Sequence, residues 1–259
     1  MRITALTFAL GVLLTCASSN ALVTDVPTVL ITGASRGIGL EFARQYAERG
    51  WNVIATARTP ADDKLLQDLI SEHDNVTVEE LDVTNHAEID TLAKKLQDQP
   101  IDILISNAGI SGGYENQIFG KLNYKSFDDV FAVNVKGPLK IAEAFINHVA
   151  ASEQKKLVNI SSTEGRFSQL RGGGGYFYRG SKSALNMAMR NVALAVKSKG
   201  VIVGILTPGF VDTDFTARFD SQLKITVEES VSKQIAVIDN MTPDMSGVYV
   251  SHEGIKMSW

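Results

Sequence analysis

The chain has 259 residues, a formal net charge of −4 and 44% hydrophobic residues, an ordinary globular composition with enough apolar volume for a sizeable core. No basic block or stripe is present, which argues against nucleic-acid binding. The single cysteine, Cys16, lies near the N-terminus, and His73, His86, His148 and His252 are scattered, so no thiolate or histidine pattern points to a metal.

Residues 1–21 read as a leader. Met1-Arg2 precedes an apolar stretch from Ile3 to Ala17 and the small-residue boundary Ser18-Ser19-Asn20-Ala21. That pattern looks like a secretory signal peptide, and the run is too short for a comfortable membrane span. Residues 26–259 form the expected folded domain. Strand-like runs near Val26–Thr32, Asn52–Thr56, Val76–Leu81, Ile101–Ser106, Lys156–Ser161, Val201–Leu206 and Gly247–Val250 alternate with helical runs. The helices fall near Gly37–Arg49, Ala61–Glu72, His86–Gln97, Phe127–Val149, Ser181–Lys197 and Val227–Ile238. Apolar strands alternating with helices predict a doubly wound parallel sheet of about seven strands, with ligands at the C-terminal strand ends.

The first strand runs into Gly33-Ala34-Ser35-Arg36-Gly37-Ile38-Gly39 and then a helix. Strand, glycine-rich turn and helix is the context a dinucleotide fingerprint requires: glycine permits positive φ and close approach of a pyrophosphate, and the helix start offers free N–H groups. After the second strand comes Arg58, where an NAD-selective site tends to carry a carboxylate and an arginine suits a 2′-phosphate. With Arg36 as a second cation, the reading favours NADP(H) over NAD(H). Tyr178 and Lys182 stand one helical turn apart, so both leave the same helix face, a spacing suited to an acid–base pair.

Taken together, these motifs resemble the short-chain dehydrogenase/reductase family, from about Pro27 onward, and so imply a Rossmann-type single domain. Asp82 in Leu81-Asp82-Val83-Thr84 resembles the adenine-contacting Asp, and Asn107-Ala108-Gly109 the motif closing the fourth strand. Asn134, Ser162, Tyr178 and Lys182 match the catalytic residues, and Pro208-Gly209, with Thr213 after it, the segment that covers the nicotinamide. Ser246-Gly247-Val248-Tyr249-Val250, Gly254 and Trp259 look like the C-factor and sniffer-like carbonyl reductase branch. The resemblance implies cofactor contacts from Gly33, Ser35, Arg36, Gly37, Ile38, Gly39, Arg58, Asp82, Val83, Asn107, Ala108, Gly109, Tyr178, Lys182, Pro208, Gly209, Val211 and Thr213. One departure is the added length between Ser162 and Tyr178, in Arg171 to Gly175 with four consecutive glycines. It leaves Ser161 as a substitute for Ser162. Tyr176 is a second nearby tyrosine, but it has no lysine one turn on.

The family's chemistry implies hydride transfer between a nicotinamide and a carbonyl carbon. Tyr178 exchanges the proton as general acid/base, Lys182 lowers the Tyr178 pKa and holds the ribose, Ser162 steadies the reacting oxygen, and Asn134 anchors a water. The expected activity is NADP(H)-dependent reduction of a small or medium carbonyl compound. The alternatives are a C-factor-like signalling protein that keeps the nucleotide fold, and an NAD-dependent alcohol dehydrogenase. The segment Thr213 to Thr226 is the expected substrate cover, and subunits of the family commonly pair as a homodimer or tetramer through the helices near Phe127–Val149 and Ser181–Lys197. For location, the leader points to export or membrane association, and the need for a reduced nicotinamide points to the cytoplasm.

Overall fold

In the computed structural model, residues 26–259 are described; the leader expected at 1–21 lies outside them. The strands are β1 (Thr28–Thr32), β2 (Asn52–Ala57), β3 (Val76–Glu80), β4 (Ile103–Ser106), β5 (Lys156–Ile160), β6 (Ile202–Thr207) and β7 (Tyr249–Ser251). All pair in parallel in one 7-stranded sheet of order β3-β2-β1-β4-β5-β6-β7. The helices are α1 (Gly37–Glu48), α2 (Lys64–Glu72), α3 (His86–Lys95), α4 (Tyr124–Phe131), α5 (Gly137–Ala151), α6 (Tyr176–Ala195) and α7 (Val227–Asp239).

Side chains on a strand alternate between faces, and both faces here are apolar. Val29 and Ile31 of β1 join Phe42 and Tyr46 of α1 and Val231 and Ile235 of α7 on one side. Leu30 joins Ile89 of α3, Ile141 and Phe145 of α5 and Leu185 and Met189 of α6 on the other. Burial of both faces is why the strands read as continuous apolar runs. The sheet order reverses between β1 and β4, so the chain leaves these two neighbours toward opposite faces and opens a crevice at their C-terminal ends.

Two of the differences from the expected helices lie at the crevice. The helix expected over Phe127–Val149 is interrupted by a wide π-turn at Ala132–Lys136, which carries Asn134. Such turns insert one extra residue per turn and re-aim side chains. The helix expected from Ser181 starts at Tyr176, after Gly175 in a left-handed conformation (φ 60°), so Tyr178 sits in its first turn.

The loop after β1 is locked to the loop after β4. Asn107 Nδ2 donates to the carbonyls of Thr32 (3.1 Å) and Gly33 (3.0 Å). Thr32 Oγ1 accepts from the amides of Asn107 (3.1 Å) and Ala108 (3.2 Å). Gly39 lies so close that a Cβ there would stand 2.2 Å from the Gly33 carbonyl oxygen and 2.5 Å from Asn107 Nδ2. Neither backbone nor braced amide can yield, so Gly39→Ala is expected to cost ~1–3 kcal/mol in urea denaturation. A Cβ on Gly172 meets nothing within 4 Å, and Gly172→Ala is expected to stay within ~0.5 kcal/mol of wild type in the same experiment.

Candidate active site

The crevice is built around the start of α1. Helices α2, α3, α4 and α7 are each capped by a side chain, from Asp63, Asn85, Asn123 and Thr226. At α6 the Gln117 Oε1 accepts from the amides of Phe177 (2.8 Å) and Tyr178 (3.3 Å). Helix α1 has no such cap: Arg36 at its N-cap position makes no side-chain bond. Its first amides and the positive end of its dipole face the glycine cradle, a place suited to an anion. Gly37 is at φ +55°, and a Cβ on it would meet only Thr213 Cγ2, at 3.6 Å. Thr213, from the segment after β6, is thereby brought against the glycine loop.

The other expected cofactor residues ring this cradle. Ser35 and Ile38 are half-buried in the loop, and Arg36 and Arg58 are exposed at its edge. Asp82 Oδ1 accepts from the Thr84 amide (2.8 Å) and hydroxyl (2.7 Å), which fixes the turn after β3. Val83 packs on Gly137, where a Cβ would stand 3.1 Å from Val83 Cβ. Asn107 and Ala108 act through the loop-to-loop bonds described above. The Pro208 carbonyl accepts from Ser230 Oγ at 2.6 Å, and Val211 forms a parallel bridge with Ile225 that closes the base of the 213–226 segment.

Tyr178, Ser162 and Lys182 converge at the end of β5. Lys182 is buried and donates from Nζ to the Ile160 carbonyl at 2.8 Å. Its Nζ is 5.9 Å from the centre of the Tyr178 ring. Ser162, two residues beyond Ile160, caps a short turn by accepting the Glu164 amide at 3.2 Å, and its hydroxyl is near enough to the Tyr178 phenol to draw its pKa downward. Ser161 donates to Asn186 Oδ1 at 2.5 Å inside the protein, so it is committed elsewhere. Tyr176 is exposed and packs on Phe119, with ring centres 6.0 Å apart.

Burial dominates the protonation of both groups. It pushes the Tyr178 phenol up to about 12, with the Ser162 hydroxyl pulling down and the Glu164 charge pushing up. Tyr178 keeps part of its surface open to the crevice, and solvent reaching the hydroxyl moderates the push. Burial also pulls the Lys182 ammonium down to about 8. The Lys182 ammonium is turned to the Ile160 carbonyl, 5.9 Å from the centre of the Tyr178 ring.

Asn134 is fully buried. Its Oδ1 accepts the Ile110 amide (2.9 Å), and its Nδ2 donates to the Ile110 carbonyl (2.9 Å) and Ser181 Oγ (2.9 Å). The amide is a clamp between the loop after β4 and α6: both Nδ2 hydrogens are used, and Oδ1 keeps one lone pair.

The glycine-rich segment 172–175 does not displace Ser162. Arg179 Nη1 donates to the carbonyls of Gly172 (2.9 Å) and Gly174 (3.1 Å), and its Nε pairs with Glu164 at 2.5 Å. The 213–226 segment crosses the crevice. Phe215 packs on Tyr178 with ring centres 5.3 Å apart, and the Arg218 guanidinium lies 4.2 Å from the Tyr114 ring and 4.3 Å from the Phe219 ring. Gln117, Arg179 and Arg218 had no signature in the sequence; each acts on a loop whose path is set only by the folded chain. Among the described residues, no group of three His, Cys, Asp or Glu side chains is arranged to hold a metal, and no helix is long and apolar enough to cross a membrane.

A family model described as short chain dehydrogenase matches residues 27–224. The chain belongs to the short-chain dehydrogenase family. It is an NAD(P)-dependent oxidoreductase of that family, similar to its C-factor and Sniffer branch. C-signal of Myxococcus xanthus is 31% identical over 160 residues, 62% of this chain and 93% of the relative. Among solved structures, the NADPH-bound carbonyl reductase from chicken fatty liver superposes with TM-score 0.83 at 31% identity, over 90% of this chain and 99% of the other. Carbonyl reductase Sniffer of D. melanogaster gives TM-score 0.80 at 25% identity, over 90% and 100%.

The buried lysine has a consequence for stability in this dehydrogenase. Its folded pKa, about 8, lies below the ordinary 10.5. Between these values the unfolded chain binds the extra proton, so stability rises with pH across that window. The stability of Lys182→Met relative to wild type is expected to be greatest below pH 8 and to fall steadily toward pH 10, by denaturant titration. A difference independent of pH would contradict it.

Proposed function

We propose that the protein is an NADP(H)-dependent carbonyl reductase in which Tyr178 supplies the proton. One observation carries the reading: Lys182, one turn after Tyr178, donates to the Ile160 carbonyl at 2.8 Å and so holds Tyr178 over the end of β5 beside Ser162, in the same crevice as the uncapped, glycine-lined start of α1. The cradle at Gly37 and the unpaired amides of α1 fit a pyrophosphate. Thr213 and the segment from Pro208 fit the nicotinamide end, and Lys182 reaches the ribose side of Tyr178. When bound, the dinucleotide supplies the hydride.

The chain's own residues do the rest. Ser162 and Tyr178 both hydrogen-bond the carbonyl oxygen. Tyr178 gives its proton to that oxygen as the carbon–oxygen double bond becomes a single bond. A tyrosine phenol is protonated at neutral pH and burial keeps it so, which leaves Tyr178 ready to donate its proton to the carbonyl oxygen. Lys182 and the Ile160 carbonyl hold α6 so that Tyr178 stays over the reacting oxygen. Exposed Arg58 and Arg36 beside the cradle support a 2′-phosphate, in keeping with the NADPH-bound state of the chicken enzyme. Exposed Met187 and Leu194 on the outer side of α6 and Leu139 on α5 support subunit pairing. The likeness to C-signal supports a second reading, a signalling protein, against which the intact Ser162–Tyr178–Lys182 arrangement weighs.

The test is NADPH oxidation against a panel of aldehydes and ketones. Tyr178→Phe is expected to lose at least ~10²-fold in turnover with little change in stability; near-normal turnover would reject the assignment. Binding of NADPH with no turnover of any carbonyl compound would favour the signalling reading. Arg58→Ala is expected to weaken NADPH far more than NADH, measured as two dissociation constants; equal effects would remove the argument for the phosphate.

A further inference from the structure

We infer that Tyr249, held by Trp259, is a positioning residue for Ser162, and that the 256–259 segment is therefore part of the reductase site. The inference rests on the carbonyl reductase reading and adds a part to it. Tyr249 is the first residue of β7, which pairs with β6 and not with β5. Its side chain nonetheless reaches past β6 and donates from Oη to the Ser162 carbonyl at 2.7 Å. The ring is buried, at 1% exposure, so a phenylalanine would fill the same space. A buried hydroxyl is unfavourable unless bonded, and its bond goes to the residue that meets the reacting oxygen. Burial pushes the Tyr249 phenol upward, so it remains a donor throughout the working pH range.

The segment after β7 holds this tyrosine. Met257 donates its amide to the Tyr249 carbonyl at 2.9 Å, and Lys256 bridges Val250 in antiparallel fashion. Trp259 then stacks on Tyr249, with ring centres 5.5 Å apart and planes inclined by 19°. From the other side Arg190 lies 5.8 Å over the Trp259 ring. The same segment fastens the chain just beyond Ser162. Arg166 Nε donates to the Ser258 carbonyl at 2.9 Å, Arg166 Nη2 to Ser258 Oγ at 2.7 Å, and the Ser168 amide to the Trp259 carbonyl at 3.2 Å.

Ser162 is thus gripped at its carbonyl by Tyr249 and by the Gly165 amide (3.0 Å), and downstream at 166–168 by residues 258 and 259. Its own hydroxyl accepts the Glu164 amide and stands beside the Tyr178 phenol. With the peptide plane after Ser162 fixed, Oγ is presented to Tyr178 and to substrate. With only the local Gly165 amide left on that carbonyl, the plane is held less tightly and Oγ is left to the local turn. The carbonyl cannot relay a proton, so Tyr249 acts on geometry alone.

The experiment is a double-mutant cycle on the full chain with NADPH and the best carbonyl substrate. Tyr249→Phe, which keeps ring and stack, is expected to lower kcat about tenfold, the worth of one hydrogen bond, and to leave KM for NADPH unchanged. The loss is expected to vanish in the Ser162→Ala background, because the two residues act through one contact. Trp259→Ala is expected to fall in the same direction as Tyr249→Phe. A second readout needs no turnover: the Tyr178 phenol, followed by NMR of labelled tyrosine rings, is expected to titrate higher in Tyr249→Phe as the Ser162 hydroxyl moves away from it. Wild-type kcat and an unmoved Tyr178 titration in Tyr249→Phe, or equal losses in both backgrounds, would overturn the inference. Failure of the wild-type protein to reduce any carbonyl compound would strike the reductase reading itself, and the Tyr178 titration would still decide the geometry.

Discussion

A single buried hydrogen bond, from the Lys182 ammonium to the carbonyl that ends β5, sets the register of everything around it. A cation away from water needs an oxygen partner, and the nearest is the Ile160 carbonyl. Meeting it drives α6 down onto the strand end so closely that a Cβ on Gly165 would stand 2.9 Å from the Lys182 backbone. With α6 docked at that height, the residue one turn earlier must face the residue just past the strand. Tyr178 and Ser162 meet for that reason.

The second constraint is the uncapped start of α1. A helix of 12 residues with a glycine cradle and no side-chain cap leaves its positive end free in a crevice. The protein holds that loop from behind, through Thr32, Asn107 and Gly39, with no bond that would fill the cradle in front. The hydride-accepting side and the anion-binding side are therefore made by different strands, β5 and β1, separated in the sheet by β4 alone. The reversal of strand order between β1 and β4 keeps the space between them open.

Much of this was legible in the chain. The seven apolar runs gave the sheet because a parallel strand covered on both faces has no polar alternate. The glycine spacing, Tyr178 and Lys182 stood out because each needs a particular residue at a particular distance in sequence. What escaped depends on contacts between distant segments. The π-turn at Ala132–Lys136 follows the same apolar period as the helices on either side of it, so it read as unbroken helix. The early start of α6 depends on Gln117, some 60 residues upstream, which no local pattern links to it. Sequence spacing places Lys182 beside Tyr178 without showing that the ammonium is turned to the Ile160 carbonyl. The tie from Tyr249 to Ser162 joins residues 87 apart, and the sequence marked only the branch likeness of that region.

The proposed reduction requires a dinucleotide lying along the crevice with its nicotinamide end beside Tyr178. The most direct measurement is a crystal structure of the protein grown with NADP+. It should show the pyrophosphate on the amides at Gly37–Gly39, the nicotinamide between Thr213 and Tyr178, and the ribose within hydrogen-bond reach of Lys182. A dinucleotide bound elsewhere, or a nicotinamide turned away from Tyr178, would contradict the account.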